Sequence, residues 1–449
     1  MSETAKIENK SAPAYVAGIL TELAALQNVT LMPRTTVFGW YDGNVFGAVE
    51  RVQKHVSEPR SNLPVERLWR IAAKHALLAT GSEERPLTFG GNDLPGIMMA
   101  GAMRRYLNAY GIAPGRRVAI FTTNDTGYNL ARDLESVGGI EIVIVDSRPD
   151  GTTHYSGAAR VIKGAVISDA YGGGSLSGIT IGKGGKSERL SVDALAMSGG
   201  FNPVISLACH RGGKPVWSDE KSTFVAPGGL RGVTMAGAAA GTDGIASSFA
   251  DGTAKAHRVL ESIGLGANAL DIPSIDGDSK IGASRPLWTI PGVRGKAFVD
   301  YQNDVHRKDL KLAVQEGYGH VELAKRYTTN GMATDQGKLS NVNAIALLAE
   351  ARGVSPAEVG TTTFRPFYTP VSFGALTGLS HGKHFQPVRK SPMHEWAKKN
   401  GAVFVETGLW YRSAWFPKAG RDRCDERHRQ GDRHGAARAR PDGLCGWPQ

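Results

Sequence analysis

The chain has 449 residues, 41% hydrophobic and 21% charged, which excludes a disordered chain and allows two to four folded domains. No apolar run approaches the roughly 20 residues of a membrane span, Met1–Lys10 is polar, and Cys209, Cys424 and Cys445 show neither metal spacing nor a disulfide framework, so a cytoplasmic protein without a membrane segment is expected. The net charge of +11 is spread without a basic stripe or basic-aromatic motif, so nucleic-acid binding is not expected.

Ala12 to Asn28 carries Val16, Ile19, Leu20, Leu23 and Leu26 at spacings of three and four, which predicts an amphipathic helix. VTLMPRTTVFGWYDGNVFGAVERV predicts a short strand and then a hairpin turning at Asp42-Gly43. ERLWRIAAKHALLATG predicts another hairpin strand, ending at Ala79-Thr80-Gly81 where a polar loop rich in Gly and Pro begins. Ile97 to Tyr110 predicts a helix stopped by Gly111 and Pro114. A βαβ unit follows: strand Val118–Phe121, helix Tyr128–Val137, strand Glu141–Val145. Residues 151–230 read as short strands and hairpins with LSVDALAMSGGFNPV embedded in them. LRGVTMAGAAAGTDGIASSFADGTAKAHRVLESIGL reads as a strand, a Gly-rich turn and a long helix, and 265–295 as a Pro- and Gly-containing connection. Lys296 to about Asn343 is expected to be a compact unit of its own, with a helix at Arg307–Gly317. From Thr361 aromatics, prolines and basic residues take over, and after Gly420 apolar periodicity ends.

A dinucleotide site needs a tight glycine turn, a helix N-terminus facing the pyrophosphate, and an acid ending the second strand. In the turn Thr122-Thr123-Asn124-Asp125-Thr126-Gly127 only the third glycine position is kept. Asp146 ends the second strand, where a carboxylate holds a ribose 2′-hydroxyl and favours NAD, while Arg148 pulls toward NADP. The alternative is a half-domain that has lost its nucleotide, and these residues alone leave both readings open. YGGGSLSGITIG nearly satisfies a glycine fingerprint, yet an alternating strand pattern follows it and not a helix, so it reads as a hairpin. In MAGAAAGTDG, Gly237 precedes Ala238 where flavoproteins with two dinucleotide domains carry Gly-Asp, so FAD in its usual form is not expected, although Gly237, Gly241 and the following helix N-terminus suit another dinucleotide.

The stretches LMPRTTVFGWYDGN, ATGSEERPLTFGGNDLPGIMMAGAMRRYLNAYGIAPG, ALAMSGGFNPVISL, GGKPVW, KRYTTNGMATDQGK and TTTFRPFYTPV carry a resemblance. Residues from roughly 13 to 417 resemble a middle segment of the alpha subunit of heterotetrameric sarcosine oxidase. The resemblance implies an α/β fold of the two-dinucleotide-binding-domain flavoprotein type, truncated, with its glycine fingerprint upstream of Met1. It implies noncovalent NAD on this subunit, FAD and covalent FMN on the beta partner, and beta, gamma and delta subunits as company. The implied reaction is oxidative demethylation of sarcosine to glycine with one-carbon transfer to tetrahydrofolate, and this segment alone is expected to be inactive. Candidate cofactor-binding residues are Ala79, Thr80, Gly81, Asn124, Asp125, Gly127, Asp146, Gly199, Gly200, Gly237 and Gly241, and no catalytic residue is assigned.

Residues 1–265 form the expected dinucleotide-binding region, with its first phosphate-loop unit missing, and 266–295 a linker. Residues 296–345 resemble the small helical [2Fe-2S] domain of bacterioferritin-associated ferredoxins. Asp300, Gln302, Asp335 and Ser340 stand at the four ligand positions; none is a thiolate, so no iron–sulfur cluster is expected. An ordinary helical linker is the alternative there. Residues 346–420 resemble the start of a folate-binding aminomethyltransferase-like domain. Lys325-Arg326-Tyr327-Thr328-Thr329 reads either as a segment near a flavin or an interface with another chain, or as a solvated basic face. His306, His320 and His394 have no metal spacing, and no metal is expected. Residues 421–449 read as a disordered tail, out of frame in the expectation favoured and an interaction tail in the other. A component of an opine- or hydroxyproline-type dehydrogenase is the alternative enzyme, and an inactive structural fragment the alternative to any enzyme.

Overall fold

The runs RVAIFT and EIVIVD are apolar on both of their faces, a pattern stable only in a sheet covered on both sides. The computed structural model, which describes residues 6–150, 155–266, 271–277, 282, 284–378, 380, 382–384 and 387–417, puts them at the centre of such a sheet. Its elements run α1 (Ala12–Ala25), β1 (Thr35–Tyr41), β2 (Val45–Glu50), β3 (Arg67–Ala72), β4 (Ala76–Leu78), β5 (Ser82–Glu84), β6 (Ile97–Met99), α2 (Ala100–Tyr110), β7 (Arg117–Thr122), α3 (Thr126–Val137) and β8 (Glu141–Asp146). They continue with β9 (Arg160–Lys163), β10 (Val166–Tyr171), β11 (Gly178–Lys183), β12 (Lys186–Ser191), β13 (Ala194–Ser198), β14 (Phe201–Pro203), β15 (Val233–Met235), α4 (Ile245–Ser262), β16 (Phe298–Asp300), α5 (Arg307–Gln315), α6 (Val321–Thr328) and α7 (Asn341–Arg352).

The central sheet is five-stranded and parallel, in the order β9-β8-β7-β13-β6. Alternation along each strand sorts side chains to two faces. Val118, Ile120, Ile144 and Ala196 face Met103 of α2 and Tyr128, Leu130 and Leu134 of α3. Ala119, Phe121, Val145 and Leu195 face Ile167, Ile179 and Ile181 of the antiparallel sheet β10-β11-β12. Each of the larger buried side chains contributes about 1.5–3 kcal/mol of transfer free energy. Gly127 is what lets α3 lie on β7: a Cβ there would stand 2.8 Å from Thr122 Cβ.

The expected βαβ unit is therefore present, as are the Asp42-Gly43 hairpin (β1–β2) and the YGGGSLSGITIG hairpin (β10–β11). Three expectations change. The first three residues of the Ile97–Tyr110 helix are a strand, drawn into the sheet by β13. ERLWRIAAKHALLATG is two strands in different sheets: β3 pairs with β2, whereas β4 pairs in parallel with β15. ALAMS, embedded among expected hairpins, is β13, which joins β7 to β6.

Residues 296–343 hold the expected helix, as α5, but they share a core with earlier elements. Val299, Leu310, Val321, Ile345 and Leu348 belong to one apolar cluster with Trp40, Phe46, Leu78 and Met235. The chain divides into two compact units, Met1–Ala375 and Leu376–Gln449. In the second unit Arg389–Lys390, Val403–Thr407 and Trp410–Trp415 form a three-stranded sheet. The His394 ring packs against Phe404 at 4.5 Å and Tyr411 at 6.1 Å. The expected tail, 421–449, lies outside the described residues. No described helix is long and apolar enough to cross a membrane.

Candidate functional site

A nucleotide at the βαβ turn would need open backbone N–H groups and an acid free to meet a ribose; the N–H groups of Thr123, Asn124 and Thr126 are already answered within the protein, and the acid is not free. Thr122, Thr123 and Asn124 are all fully buried. Asn124 Oδ1 accepts the Thr126 N–H (2.9 Å), and its Nδ2 donates to Ser198 O (3.2 Å) and Ser198 Oγ (3.1 Å), tying the turn to the end of β13. Residues 284–285 lie over the turn, with Arg285 N donating to Thr123 O (3.1 Å).

Asp146 must be corrected on the same ground. It is fully buried. Its Oδ1 accepts from Arg148 N and Arg148 Nε (both 3.0 Å), and its Oδ2 from Tyr128 Oη and Arg148 Nη2 (both 2.8 Å). Four donors saturate a carboxylate, so none of it is open to a ribose. Arg148 Nη2 also donates to Asp125 at 2.7 Å. Burial works against the Arg148 charge, and the hydrogen bonds to Asp146 and Asp125 more than offset it, so its pKa is raised. Burial, then Asp146, pushes the Tyr128 phenol up. Asp125 is part of this network rather than of a phosphate cradle, and Gly127 serves helix packing.

The larger opening lies at the end of the other parallel pair, β4–β15. A cavity of about 450 Å³ is lined there by Ser82, Phe201, Lys221, Ala238, Gly241 and Ser284 among others. Gly237 and Gly241 have left-handed φ values of +63° and +82°. A Cβ on Gly241 would come to 3.0 Å from Lys221 Cε, so glycine is what lets the Lys221 stem cross this wall. Gly237 N donates to Asp251 Oδ2 (2.8 Å), and Asp251 pairs with Lys255 at 2.8 Å. Burial opposes the Asp251 charge, but these partners hold its pKa below the ordinary range.

The remaining candidates flank this opening. Thr80 Oγ1 donates to Val204 O (2.7 Å); Gly81 has φ +78°, and Ala79 is exposed and lines none of the main cavities. At Gly199 a Cβ would stand 2.9 Å from Arg85 O, and Gly200, with φ +112°, passes beside Ser284. Gly199 lets two backbone segments cross, and Gly200 makes room for the Ser284 and Arg85 side chains. The structure thus brings Gly241 to the large cavity, with Gly81, Gly200 and Gly237 beside it, and keeps Asn124, Asp125, Gly127 and Asp146 in a closed internal network.

Residues 294–379 match the family described as the sarcosine oxidase A3 domain. The chain is 64% identical over 420 residues to the sarcosine oxidase alpha subunit of Rhizobium meliloti (strain 1021), covering 94% of this chain. The chain belongs to the sarcosine oxidase alpha-subunit family. It spans 43% of that relative's length. It is also 25% identical to an opine oxidase subunit of Agrobacterium tumefaciens (strain Ach5), over 81% of this chain and 80% of that one. Among solved structures, L-proline dehydrogenase from P. horikoshii superposes with a TM-score of 0.61 at 19% identity, covering 82% of this chain and 69% of that one, which shows a shared α/β fold.

In this sarcosine oxidase alpha-subunit relative the matched 294–379 stretch contains α5–α7. Buried Asp300 accepts from Gln302 N (2.9 Å), Asn303 N (3.1 Å) and Gly331 N (2.7 Å), bridging two loops. Gln302 meets Thr334 at 3.3 Å, Asp335 accepts from Gly337 N at 3.1 Å, and Ser340 is buried ahead of α7. Among the described residues no group of three or more His, Cys, Asp or Glu is placed to hold a metal. Sequence reasoning missed Arg85 altogether. It is buried without a carboxylate partner among the described residues and donates to Asn202 Oδ1 (3.1 Å) and Ser222 O (3.0 Å), with Trp288 4.7 Å beneath it. Burial pushes its pKa down to about 9. A lone Arg in SEERPLTF gave no signal of this, because all three partners lie more than 100 residues away.

Proposed function

We propose that this chain is the dinucleotide-holding and interface-forming part of a sarcosine oxidase alpha subunit. With beta, gamma and delta subunits it would take part in oxidative demethylation of sarcosine to glycine and transfer of the carbon to tetrahydrofolate. The observation that carries this reading is the 64% identity over 94% of the chain. The opine reading is not favoured: identity falls to 25%, and cysteines are absent from 300, 302, 335 and 340.

The dinucleotide site we propose is the Gly241 cavity, not the βαβ turn. Its roughly 450 Å³ falls within the range of cofactor sites, and the Gly237–Gly241 turn with Lys221 suits an anionic pyrophosphate. Lys221, Ser82, Thr242 and Ser284 would hold the cofactor. NAD is carried over from the family resemblance; the carboxylate that would have favoured it over NADP is saturated by Arg148 and Tyr128. FAD and FMN would reside with the beta partner and supply the acceptor for the amine hydride. This chain's part is to bind, orient and exclude water, and no catalytic side chain is assigned to it.

The helical stretch 296–345 does not fit a [2Fe-2S] cluster. Thiolates are missing, and Asp300 is engaged by three loop amides. We propose a cluster-free relative of that domain, the start of a folate-binding domain in 346–420, and a linker at 266–295. Co-expression with the beta, gamma and delta subunits of the Rhizobium relative tests the main reading. A co-purifying complex with sarcosine-dependent oxygen uptake is expected, and failure of this chain to join the other subunits would overturn it.

A further inference from the structure

Arg85 carries a charge that is 2% exposed and, among the described residues, has no carboxylate partner. Buried charges are ordinarily paired, because a charge desolvated alone is costly. Arg148, also buried, has Asp146 and Asp125 for this purpose. A guanidinium has five N–H donors, and among the described residues Arg85 uses two of them: Nε donates to Asn202 Oδ1 (3.1 Å) and Nη2 to Ser222 O (3.0 Å). The Trp288 ring, 4.7 Å from Cζ, attracts the cation without neutralising it. Burial lowers the Arg85 pKa, and no carboxylate raises it again.

The position of this charge ties it to the Gly241 cavity. Ser222, whose carbonyl accepts from Arg85 Nη2, stands between Lys221 and Thr223, both of which line that cavity. Asn202 Oδ1 accepts from Arg85 Nε and also from Thr223 Oγ1 (3.0 Å), so one carbonyl couples the guanidinium to a wall residue. At Gly200 a Cβ would stand 3.3 Å from Ser284 Oγ, another wall residue, and 3.6 Å from Arg85 Cζ and Nη2. The guanidinium and the Ser284 hydroxyl therefore share the space that Gly200 leaves. Two carboxylates on the same wall are engaged elsewhere. The Glu220 side chain is largely exposed and lies 3.9 Å from Lys221 Nζ, and Asp243 Oδ2 accepts the Gly282 N–H (3.1 Å). A diphosphate ester brings two negative charges to this wall, more than Lys221 alone answers, whereas a neutral ligand brings none and a cation is repelled.

We propose that Arg85 is a positioning and charge-selecting residue of the Gly241 cavity: it fixes the Lys221–Thr223 segment and Ser284, and supplies from behind the wall the second positive charge that selects a diphosphate-bearing ligand. The proposal rests on the dinucleotide reading of that cavity and deepens it. The full 449-residue chain and its Arg85→Lys, Arg85→Met and Gly241→Val variants are titrated with NAD by calorimetry below their unfolding transitions. NAD bound to wild type is also challenged with inorganic pyrophosphate, which is expected to displace it. At an effective dielectric of about 20 a unit charge roughly 7 Å away changes affinity about fiftyfold, so Arg85→Met is expected to bind NAD at least tenfold more weakly. Arg85→Lys keeps the charge but not the paired hydrogen bonds, and is expected to lose no more than severalfold; a purely structural arginine would be lost equally in both variants. Should Arg85→Met fail to fold, Arg85→Lys and the pyrophosphate challenge decide. Given NAD binding that Gly241→Val abolishes, wild-type affinity in Arg85→Met, equal weakening in both Arg85 variants, or pyrophosphate that fails to displace NAD would each overturn the proposal and leave the cavity reading standing. No NAD binding to wild type, or binding that Gly241→Val leaves unchanged, would overturn the cavity reading and this proposal with it.

Discussion

Asp146→Ala separates a structural acid from a ribose-reading one. In the structure its two oxygens accept four hydrogen bonds, three of them from an arginine that is itself 5% exposed. Removing one partner of a buried ion pair leaves a desolvated charge and costs about 3–5 kcal/mol. Asp125, at 2.7 Å from Arg148, keeps part of the interaction and sets the expectation nearer the lower figure. Asp146→Asn preserves volume and two acceptor lone pairs but replaces the other oxygen by donors facing Tyr128 or Arg148, so about 2–3 kcal/mol is expected. In a unit of this size such losses lower the melting temperature by on the order of 3–5 °C. The assay is thermal unfolding of both variants beside wild type, followed by NAD titration below their transitions. A drop in melting temperature with NAD affinity unchanged within about twofold is expected. A wild-type melting temperature together with at least tenfold weaker NAD binding would refute the network and return Asp146 to the ribose.

Gly127→Ala puts a Cβ 2.8 Å from Thr122 Cβ and should cost about 1–3 kcal/mol in denaturant unfolding, with β7 and α3 forced apart. Gly241→Val should abolish dinucleotide binding and, since a β-branched residue at φ +82° costs about 1–3 kcal/mol of backbone strain, also lower the melting temperature by roughly 1–4 °C; calorimetric titration with NAD below the transition decides. His210 has its folded pKa depressed from 6.5 to about 4, so the unfolded chain takes up a proton first, and stability present above pH 6.5 is lost as pH falls toward 4. His210→Gln should flatten that part of the wild-type stability–pH curve; an unchanged curve would place the titration elsewhere. Iron and acid-labile sulfide assays on purified protein should give no stoichiometric [2Fe-2S] content.

What could be read in the sequence was what short-range pattern controls. RVAIFT and EIVIVD are apolar on both faces and declared buried parallel strands, and Asp42-Gly43 declared its hairpin. YGGGSLSGITIG was separable from a phosphate loop because a strand and not a helix follows it. ALAMS was not legible as the strand beside β7, since two of its five residues are alanine and β-branched residues are absent. Its small side chains make sense only with α2 and the crossing at Gly199 in place, and both are set by distant sequence. The fate of Asp146 was equally hidden. The strand end and the acid are local, but Tyr128 reaches it from a helix 18 residues earlier and Arg148 folds back from beyond it.

The two ends of parallel strands in this fold show why glycine spacing and binding come apart. A phosphate is held by backbone N–H groups that nothing else answers. At the β7–α3 turn the Thr123 N–H goes to the Ser198 carbonyl, the Asn124 N–H to Thr122 Oγ1 and the Thr126 N–H to Asn124 Oδ1, and Arg285 has crossed above, so a geometry suited to nucleotide has become an internal joint. At the β15–α4 turn the left-handed residues are glycines at 237 and 241, and the acid that meets the Gly237 N–H comes from the helix behind, while the cavity side is lined by Ala238, Thr242 and Lys221 together with Glu220 and Asp243. Charge follows the same division. The arginine of the closed turn is neutralised by two aspartates, whereas among the described residues Lys221 has only Glu220 at 3.9 Å and a side chain 37% exposed. A pyrophosphate at the first turn would have to break the Arg148 ion pairs, whereas at the second it meets Lys221 on a wall that also carries Glu220 and Asp243, and we propose the Gly241 cavity as the place to test for the dinucleotide.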